Sequence, residues 1–281
     1  MGLNYSVNTN SGALVALQQL NGTSRDLQVT QSRINSGKKI DTSRDNGAIW
    51  AIAKNQSSKA NALDAVTDSL DRGKSTVDVA LAAAATLNDT LDQMRQKALA
   101  ASEVSLDTSS RNNLNTEYKV LRDTINRVVS TAEFNGYNLI KSGAVNFRAL
   151  STDDPALTMT VSAFNLSINS AGTGSKITIK TTSTISTATA AATEYALIKS
   201  SIASVNTSIA QMGAEARRLD NQNVFITKLK DALETGVGNL VDADLARESA
   251  RLTALQSKQQ LGVQALSIAN QSTTILTSLF R

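Results

Sequence analysis

The sequence predicts a mainly α-helical protein in which long antiparallel helices from the N- and C-terminal parts form coiled-coil bundles, with a small β-hairpin region in the centre. The first observation is that Pro155 is the only proline in 281 residues. Proline removes a backbone donor and clashes with the preceding helical turn, so its near absence permits very long helices. The second is that Ala, Leu, Ile and Val, and few aromatic residues, supply the hydrophobic fraction. The third is a heptad spacing of apolar residues in both terminal parts.

The first heptad pattern lies between residues 13 and 34. Its apolar positions, separated alternately by four and three residues, are interrupted by two polar residues, which is typical of a coiled-coil contact. They are Ala13, Leu17, Leu20, Ser24, Leu27, Gln31 and Ile34. Two further runs predict helices over 63–98 and 114–128, and Asn135-Gly136 marks a turn after them.

The longest pattern runs without a slip from Tyr195 to Leu240. It predicts a helix roughly 70 Å long, at about 1.5 Å per residue. The register then shifts by one residue, and Leu245, Leu252, Val263 and Leu266 continue it. A second stripe on another face contains Leu261, Ala265, Ile268, Ile275 and Leu279. Two stripes on one helix indicate two sets of neighbours, which favours a helix packed among many copies of the same chain.

The centre, residues 144–191, is rich in Ser and Thr and poor in charge. Partial alternation of apolar and polar residues over Lys176–Lys180 predicts short strands and loops there. The parts on either side each carry an apolar pattern that is unfavourable in water, so we expect them to pair with each other.

Composition excludes several classes of function. Histidine and cysteine are absent, which removes disulfides, zinc sites with these ligands, and His- or Cys-based catalysis. The formal net charge of +4 comes from interspersed charges without a basic block, which argues against a nucleic-acid partner. No apolar stretch approaches about 18 residues, so no membrane insertion is expected. We expect no enzyme activity and no catalytic, cofactor or metal residues.

Three local motifs have simpler interpretations than a ligand site. Gly73-Lys74-Ser75 resembles the end of a phosphate-binding loop, but Asp68 stands where the first glycine is required. The carboxylates Asp242, Asp244 and Glu248, beside Arg247 and Arg251, are interpreted as surface ion pairs within and between subunits, which set the register between subunits, and not as a metal site. Amides on the C-terminal stripes are expected to bond to neighbouring chains. These amides are Gln256, Gln259, Gln260, Gln264, Asn270 and Gln271.

Several segments resemble those of bacterial flagellins. Residues 33–53 resemble the N-terminal signature, and 240–256 and 260–271 resemble the C-terminal signature. Residues 132–136, Ala-Glu-Phe-Asn-Gly, are similar to the turn of the family, and the chain closes on Leu-Phe-Arg at 279–281. The short centre is similar to that of α-proteobacterial members.

This resemblance implies a structural subunit of the flagellar filament, which self-assembles into a helical tube that transmits motor torque for swimming. It implies secretion through the type III export route and an extracellular place in the flagellum. The expected partners are further copies of the chain, other flagellins of the same cell, an export chaperone, and the cap and hook-junction proteins. Two alternatives remain: a hook–filament junction protein, and, from another class, a cytoplasmic coiled-coil scaffold.

The resemblance also implies three layers. Residues 1–40 and 240–281 would form the inner coiled coil of the filament core, and 41–143 with 192–239 a helical domain around it. Residues 144–191 would form a short surface-exposed insertion without a large outer domain.

Candidate functional residues follow from the same resemblance. Arg95 matches an arginine that innate immune receptors read in this family, although Gln96 and Lys97 depart from the stimulatory pattern. The residues expected to pack between subunits are Leu17, Leu20, Leu27, Ile34, Leu252, Val263, Leu266, Ile268 and Ile275. The residues expected to carry O-linked sugars are Thr181, Thr182, Ser183, Thr184, Ser186 and Thr187.

Overall fold

The computed structural model describes residues 9–168 and 174–279, with side chains described as far as residue 271. Within them, five helices and one two-stranded antiparallel sheet confirm the predicted mainly α architecture with a small central hairpin. The helices are α1 (Ser11–Ser36), α2 (Gly47–Ala101), α3 (Thr108–Thr131), α4 (Ala188–Val241) and α5 (Leu245–Leu279). The strands are β1 (Phe147–Leu150) and β2 (Thr158–Val161).

Short polar side chains fix where the helices begin. Asn10 Oδ1 accepts a hydrogen bond from the Ala13 amide at 3.0 Å, and Asp244 Oδ1 accepts one from the Arg247 amide at 3.1 Å. Each such cap satisfies a backbone donor that has no partner within its helix. α1 ends where Gly37 takes a φ of 71°, a left-handed conformation that glycine adopts without a Cβ clash.

The chain divides into two compact units. Unit 1 takes in Met1–Ser58 and Ala232–Arg281, and unit 2 takes in Lys59–Asp231. The predicted division into three filament layers concerns the assembled filament and stays a prediction.

Unit 2 encloses a continuous hydrophobic core. The heptad positions expected in α2, from Leu63 to Ala98, are buried as predicted. α4 lies antiparallel to α2, because Lys74 Nζ lies 2.6 Å from Asp220 Oδ1 and the side-chain Nδ2 of Asn223 donates to Asp71 Oδ1. The largest fully buried side chains are Leu63, Leu70, Leu87, Leu91, Met94, Tyr118, Ile125, Leu139, Ile140, Leu166, Ile179 and Ile185.

The central segment packs onto this core. β1 pairs with β2 in the register Phe147↔Val161. The predicted turn at Asn135-Gly136 is confirmed: both residues have positive φ, and Phe134 and Tyr137 exchange two backbone hydrogen bonds of 2.9 Å.

The predicted short strands and loops of the centre are confirmed by β1 and β2. The alternating segment Lys176–Lys180 itself forms no strand, although its burial alternates as expected, with Ile177 and Ile179 inside. Side-chain oxygens accept hydrogen bonds from backbone amides that would otherwise pair with a neighbouring strand. The Thr178 amide donates to Ser201 Oγ at 3.0 Å, and the Lys180 amide donates to Ser183 Oγ at 3.1 Å.

Candidate self-assembly surface

α1 and α5 form an antiparallel pair within unit 1. Near one end, Asn10 Nδ2 donates to the Ala269 carbonyl at 2.8 Å. Near the other end, an Arg33 terminal nitrogen lies 3.2 Å from Glu248 Oε1. The predicted pairing of the two terminal parts is therefore confirmed.

The contact keeps a heptad spacing, but half of its positions differ from those predicted. Where the sequence suggested Leu17 and Val263, the structure turns the neighbouring residues Ala16 and Gly262 toward the contact. The reason is space, because a Cβ on Gly262 would lie 3.3 Å from Leu20 Cδ1. The buried and half-buried residues of α1 that keep the heptad spacing are Ala13, Ala16, Leu20, Thr23, Leu27, Thr30 and Ile34. Those of α5 are Glu248, Leu252, Leu255, Gln259, Gly262, Leu266 and Ala269.

The predicted subunit-packing residues therefore fall into two groups. One group is half-buried in the chain's own α1–α5 contact: Leu20, Leu27, Ile34, Leu252 and Leu266. The other group is exposed, with 44% of Leu17, 54% of Val263 and 63% of Ile268 accessible to solvent. The side chain of Ile275 lies outside the described residues.

Exposed hydrophobic residues that the heptad analysis did not single out also lie on α1. They are Leu14, Val15 and Val29. Their signal in the sequence was the presence of large apolar residues beside the pattern. That signal is weak, because single exposed hydrophobic residues are common on protein surfaces.

The carboxylates at the start of α5 have three different environments, so their interpretation as one set of surface ion pairs is corrected. Asp242 is exposed, Asp244 caps α5, and Glu248 is buried against Arg33. Arg33 Nε and Glu248 Oε2 are both buried and have no hydrogen-bond partner among the described residues. Because only part of each charged group has a partner, we expect this pair to align α1 with α5 more than to stabilise their contact.

A compact junction joins the α1–α2 connection to the turn between α4 and α5. The Lys39 amide donates to the Val241 carbonyl at 2.7 Å, and the Ala243 amide donates to the Gly37 carbonyl at 2.8 Å. Beneath these bonds, Ile40, Ala53 and Val241 form a small buried cluster. These bonds therefore hold the α1–α2 connection directly beside the turn between α4 and α5.

Arg95, the predicted receptor-facing residue, lies in unit 2. It is partly exposed, and its guanidinium lies 2.6 Å from Asp92 Oδ1 on the same helix. The neighbouring Leu91, Met94 and Ala98 are buried. Asp92 and Arg95 are half-buried beside them, and the exposed residues of this turn are Gln93 and Gln96.

The predicted O-glycosylation segment is not uniformly accessible. Ser183 is buried, and its Oγ is engaged with the Lys180 amide, so its side chain is not available in the folded unit. Thr181 and Thr184 are half-buried. Thr182, Ser186 and Thr187 are exposed, although Thr187 Oγ1 also accepts from the Ala190 amide at 3.1 Å.

Comparison with known families decides the identity. The model of the bacterial flagellin N-terminal helical region matches residues 7–144, and that of the bacterial flagellin C-terminal helical region matches residues 195–280. The chain belongs to the bacterial flagellin family. The first match contains α1, α2 and α3, and the second contains α5. The matches therefore include both helices, α1 and α5, that carry the exposed apolar surface.

Individual relatives agree with this assignment. The chain is 50% identical over 281 residues to Flagellin FljK of Caulobacter vibrioides, and the alignment covers 100% of both chains. It is 36% identical to a flagellin of Brucella melitensis, over 98% of this chain and 99% of the relative. The resemblance to α-proteobacterial flagellins is confirmed.

Among solved structures, one described as a flagellar hook-associated protein from Vibrio parahaemolyticus matches with a TM-score of 0.57. Its sequence identity is 16%, over 70% of this chain and 100% of that one, so the match shows a shared fold alone.

As a flagellin, the chain is a structural subunit of the bacterial flagellar filament, and no finding favours the junction or scaffold alternatives. Its family is one of structural proteins. In the described part of the chain, no helix has the length and apolar character needed to cross a membrane.

Proposed function

We propose that the subunit polymerises through two apolar surfaces of unit 1 that the α1–α5 contact leaves outside. The first, called the groove, is an open pocket of about 390 Å³ whose apolar lining residues are Ala13, Leu14, Leu17 and Leu266. The second, called the ridge, consists of Leu261 and Ile268, which lie seven residues apart on α5 and are 64% and 63% exposed.

Groove and ridge belong to different faces of α5. Leu266 points into the α1–α5 contact, as the half-buried members of its heptad pattern do. Leu261 and Ile268 share a helical face that is turned away from that contact, because a spacing of seven residues is two helical turns. The ridge of one copy therefore has access to the groove of another copy.

A contact between two different faces of the same molecule is heterologous, so it repeats from copy to copy. Such contacts form open helical assemblies when the rotation does not close a ring. Removing the exposed leucine and isoleucine side chains from water provides the driving force, at about 25 cal/mol per Å² of apolar surface. The filament role is supported by the burial difference between the two faces and by the family.

The proposed filament has three layers. Residues 1–40 and 240–281 line the channel, 41–143 and 192–239 surround them, and 144–191 face outward. The exposed apolar residues of unit 1 support an inner position for the first layer, where neighbours would cover them. The subunit leaves the cell through the flagellar export route, in contact with an export chaperone, and it is added between cap and hook-junction proteins together with other flagellins. It transmits torque and catalyses no reaction.

Seeded polymerisation tests this proposal. Purified chain is mixed with short filament fragments, and elongation is measured by sedimentation and negative-stain electron microscopy. We expect the wild-type chain to elongate the seeds and Ile268→Asp to remain soluble, because an aspartate on the ridge would have to be desolvated in the groove.

Ile268→Leu is the matched control, since it keeps the ridge apolar and should elongate. Thermal unfolding of the soluble Ile268→Asp chain should match that of the wild type. Elongation by Ile268→Asp at the wild-type rate would rule out the ridge. Short capped ends from the wild type would instead indicate a junction protein, and persistent monomers a scaffold.

A further inference from the structure

Unit 1 carries a pocket with an excess of positive charge, separate from the groove and the ridge. It has a volume of about 360 Å³ and lies beside the second half of α1 and the α1–α2 connection. Its charged lining residues are Arg25, Arg33, Lys38, Lys39, Asp41 and Asp45. We call it the basic pocket.

The two acids of the basic pocket are engaged locally. Asp45 Oδ2 accepts hydrogen bonds from the amides of Asp41 and Thr42 and from the Thr42 hydroxyl. Asp41 Oδ1 lies 3.7 Å from Lys38 Nζ, a loose and exposed pair. Arg25 donates through Nε to the Asn21 carbonyl at 3.4 Å, which leaves its charge uncompensated by that contact.

Arg33 is already paired with Glu248, and Lys39 Nζ donates to the neutral Asn239 carbonyl. The positive charge that the pocket offers to an acidic surface therefore comes from Arg25 and Lys39.

A second pocket of unit 1 has the opposite charge. It has a volume of about 430 Å³ and lies at the end of α4 and the turn that follows. Its charged lining residues are Glu234, Asp242 and Asp244, and neither lysine nor arginine is among the described residues that line it. We call it the acidic pocket.

The two pockets both lie at the junction, at the end of the α1–α5 pair where α1 ends and α5 begins. Lys38 and Asp242 are partners in an isolated antiparallel bridge, and the Ala243 amide bonds to the Gly37 carbonyl. No residue lines both pockets. The Asp242 amide also donates to the Gly238 carbonyl at 2.8 Å. Backbone hydrogen bonds thus hold residues of both charged surfaces at one junction.

We propose that the acidic pocket of one copy meets the basic pocket of the next copy in the filament. This inference rests on the proposed function and deepens it. A second copy is the occupant that the structure favours, since the chain itself carries two surfaces of opposite charge at one junction. The apolar ridge provides affinity with little directional preference, whereas complementary charges steer approach and fix the register.

Charge reversal tests the contact. R25E/K38E reverses the basic pocket and E234K/D242K reverses the acidic pocket, in both cases without changing the helix cap Asp244. In seeded polymerisation at low salt, each double variant alone should raise the critical concentration at least about tenfold, because like charges would then face each other.

An equimolar mixture of the two double variants should elongate seeds at close to the wild-type critical concentration, since every contact between unlike copies is complementary again. A single chain with all four substitutions should recover in the same way. K54E/K258E is the matched control: it changes the net charge as much as R25E/K38E, at exposed positions outside both pockets. It should elongate as the wild type does.

Two results would overturn the proposal. One is elongation of both double variants at the wild-type critical concentration. The other is failure of the mixture and of the fourfold variant to recover, while thermal unfolding shows that the chains are folded. Wild-type chain that does not elongate seeds would overturn the proposed function itself, and the inference with it.

Discussion

Units 1 and 2 are built from similar helices but differ in how they dispose of hydrophobic side chains. In unit 2, heptad positions from Leu63 to Met94 are almost completely buried by elements of the same unit. In unit 1, the described hydrophobic residues that are buried are Ile40, Ala53, Val241 and Leu255, while Leu14, Leu17, Leu261 and Ile268 are exposed. Unit 2 therefore has an extensive buried core, whereas unit 1 buries few of its described hydrophobic side chains.

The difference shows which part of a polymer subunit carries stability and which carries assembly. A closed core stabilises the monomer without help, because its apolar surface is already removed from water. Apolar side chains that lie together on the outside of two paired helices, with few buried ones between them, indicate a binding surface. Substitutions in the two units should therefore affect different measurements.

The largest expected effect comes from a cavity in the core of unit 2. Leu91 is fully buried, so Leu91→Ala should lower the free energy of unfolding of the monomer by about 2–5 kcal/mol. Leu17, on the groove, is 44% exposed, so Leu17→Ala should change that free energy by no more than about 0.5 kcal/mol. Denaturant unfolding of the unpolymerised chain measures both.

The same pair should reverse its order in seeded polymerisation. Leu17→Ala should raise the critical concentration, whereas Leu91→Ala should still elongate at a temperature where unit 2 is folded. Equal destabilisation of the monomer by the two substitutions would mean that α1 is as well packed as α2, and the comparison would fail.

A buried hydrogen bond in unit 2 is expected to have the next largest effect. Tyr118, fully buried on α3, donates its hydroxyl proton to Glu194 Oε2 on α4 at 3.0 Å. Tyr118→Phe leaves the carboxylate without this donor, so the free energy of unfolding should fall by about 1.5–3 kcal/mol. No loss would show that Glu194 finds another donor.

The same tyrosine makes the stability depend on alkaline pH. Burial raises the pKa of Tyr118, and the negative charge of Glu194 and the hydrogen bond to it raise the pKa further, while Arg122 opposes them. The folded state thus favours the neutral phenol. Its contribution is complete below the ordinary tyrosine pKa of about 10 and is lost as pH rises above that value. Wild-type stability should fall more steeply there than that of Tyr118→Phe.

The fold was predictable because heptad spacing and a single proline leave long helices as the main solution. The packing surfaces were predictable only in part. In α4, the heptad pattern from Tyr195 to Leu240 includes Ile202 and Ile209, yet the structure buries Ser201 and Ser208 more completely. In the α1–α5 pair, Gly262 and Ala16 replace Val263 and Leu17 in the same way.

The reason for these shifts is that hydrophobicity identifies the larger residue, while close approach of two helices requires the smaller one. The two charged pockets were not predictable in the sequence either. Lys38 and Asp242 are far apart along the chain, and only the backbone bridge at the junction brings them together. The predicted subunit contacts themselves stay a prediction, because they need a second copy of the chain.

The smallest expected effects distinguish two glycines inside helices of unit 2. A Cβ on Gly213 would have no neighbour within 4 Å among the described residues, whereas one on Gly73 would lie 3.0 Å from Phe147 Cε1 and 3.6 Å from Leu219 Cδ1. Gly213→Ala should raise the free energy of unfolding by roughly 0.5–1 kcal/mol, since alanine is the better helix former.

Gly73→Ala should lower that free energy instead, because an overpacking penalty of about 1–3 kcal/mol exceeds the gain in helix propensity. The Phe147 ring has little freedom to withdraw, since it lies edge-on to Tyr137 with ring centroids 5.1 Å apart. Combining Gly73→Ala with Phe147→Leu should remove most of the penalty, and denaturant unfolding of the four chains in this cycle measures the coupling. Additive effects would mean that the central hairpin does not depend on the close approach of Phe147 to α2 at Gly73.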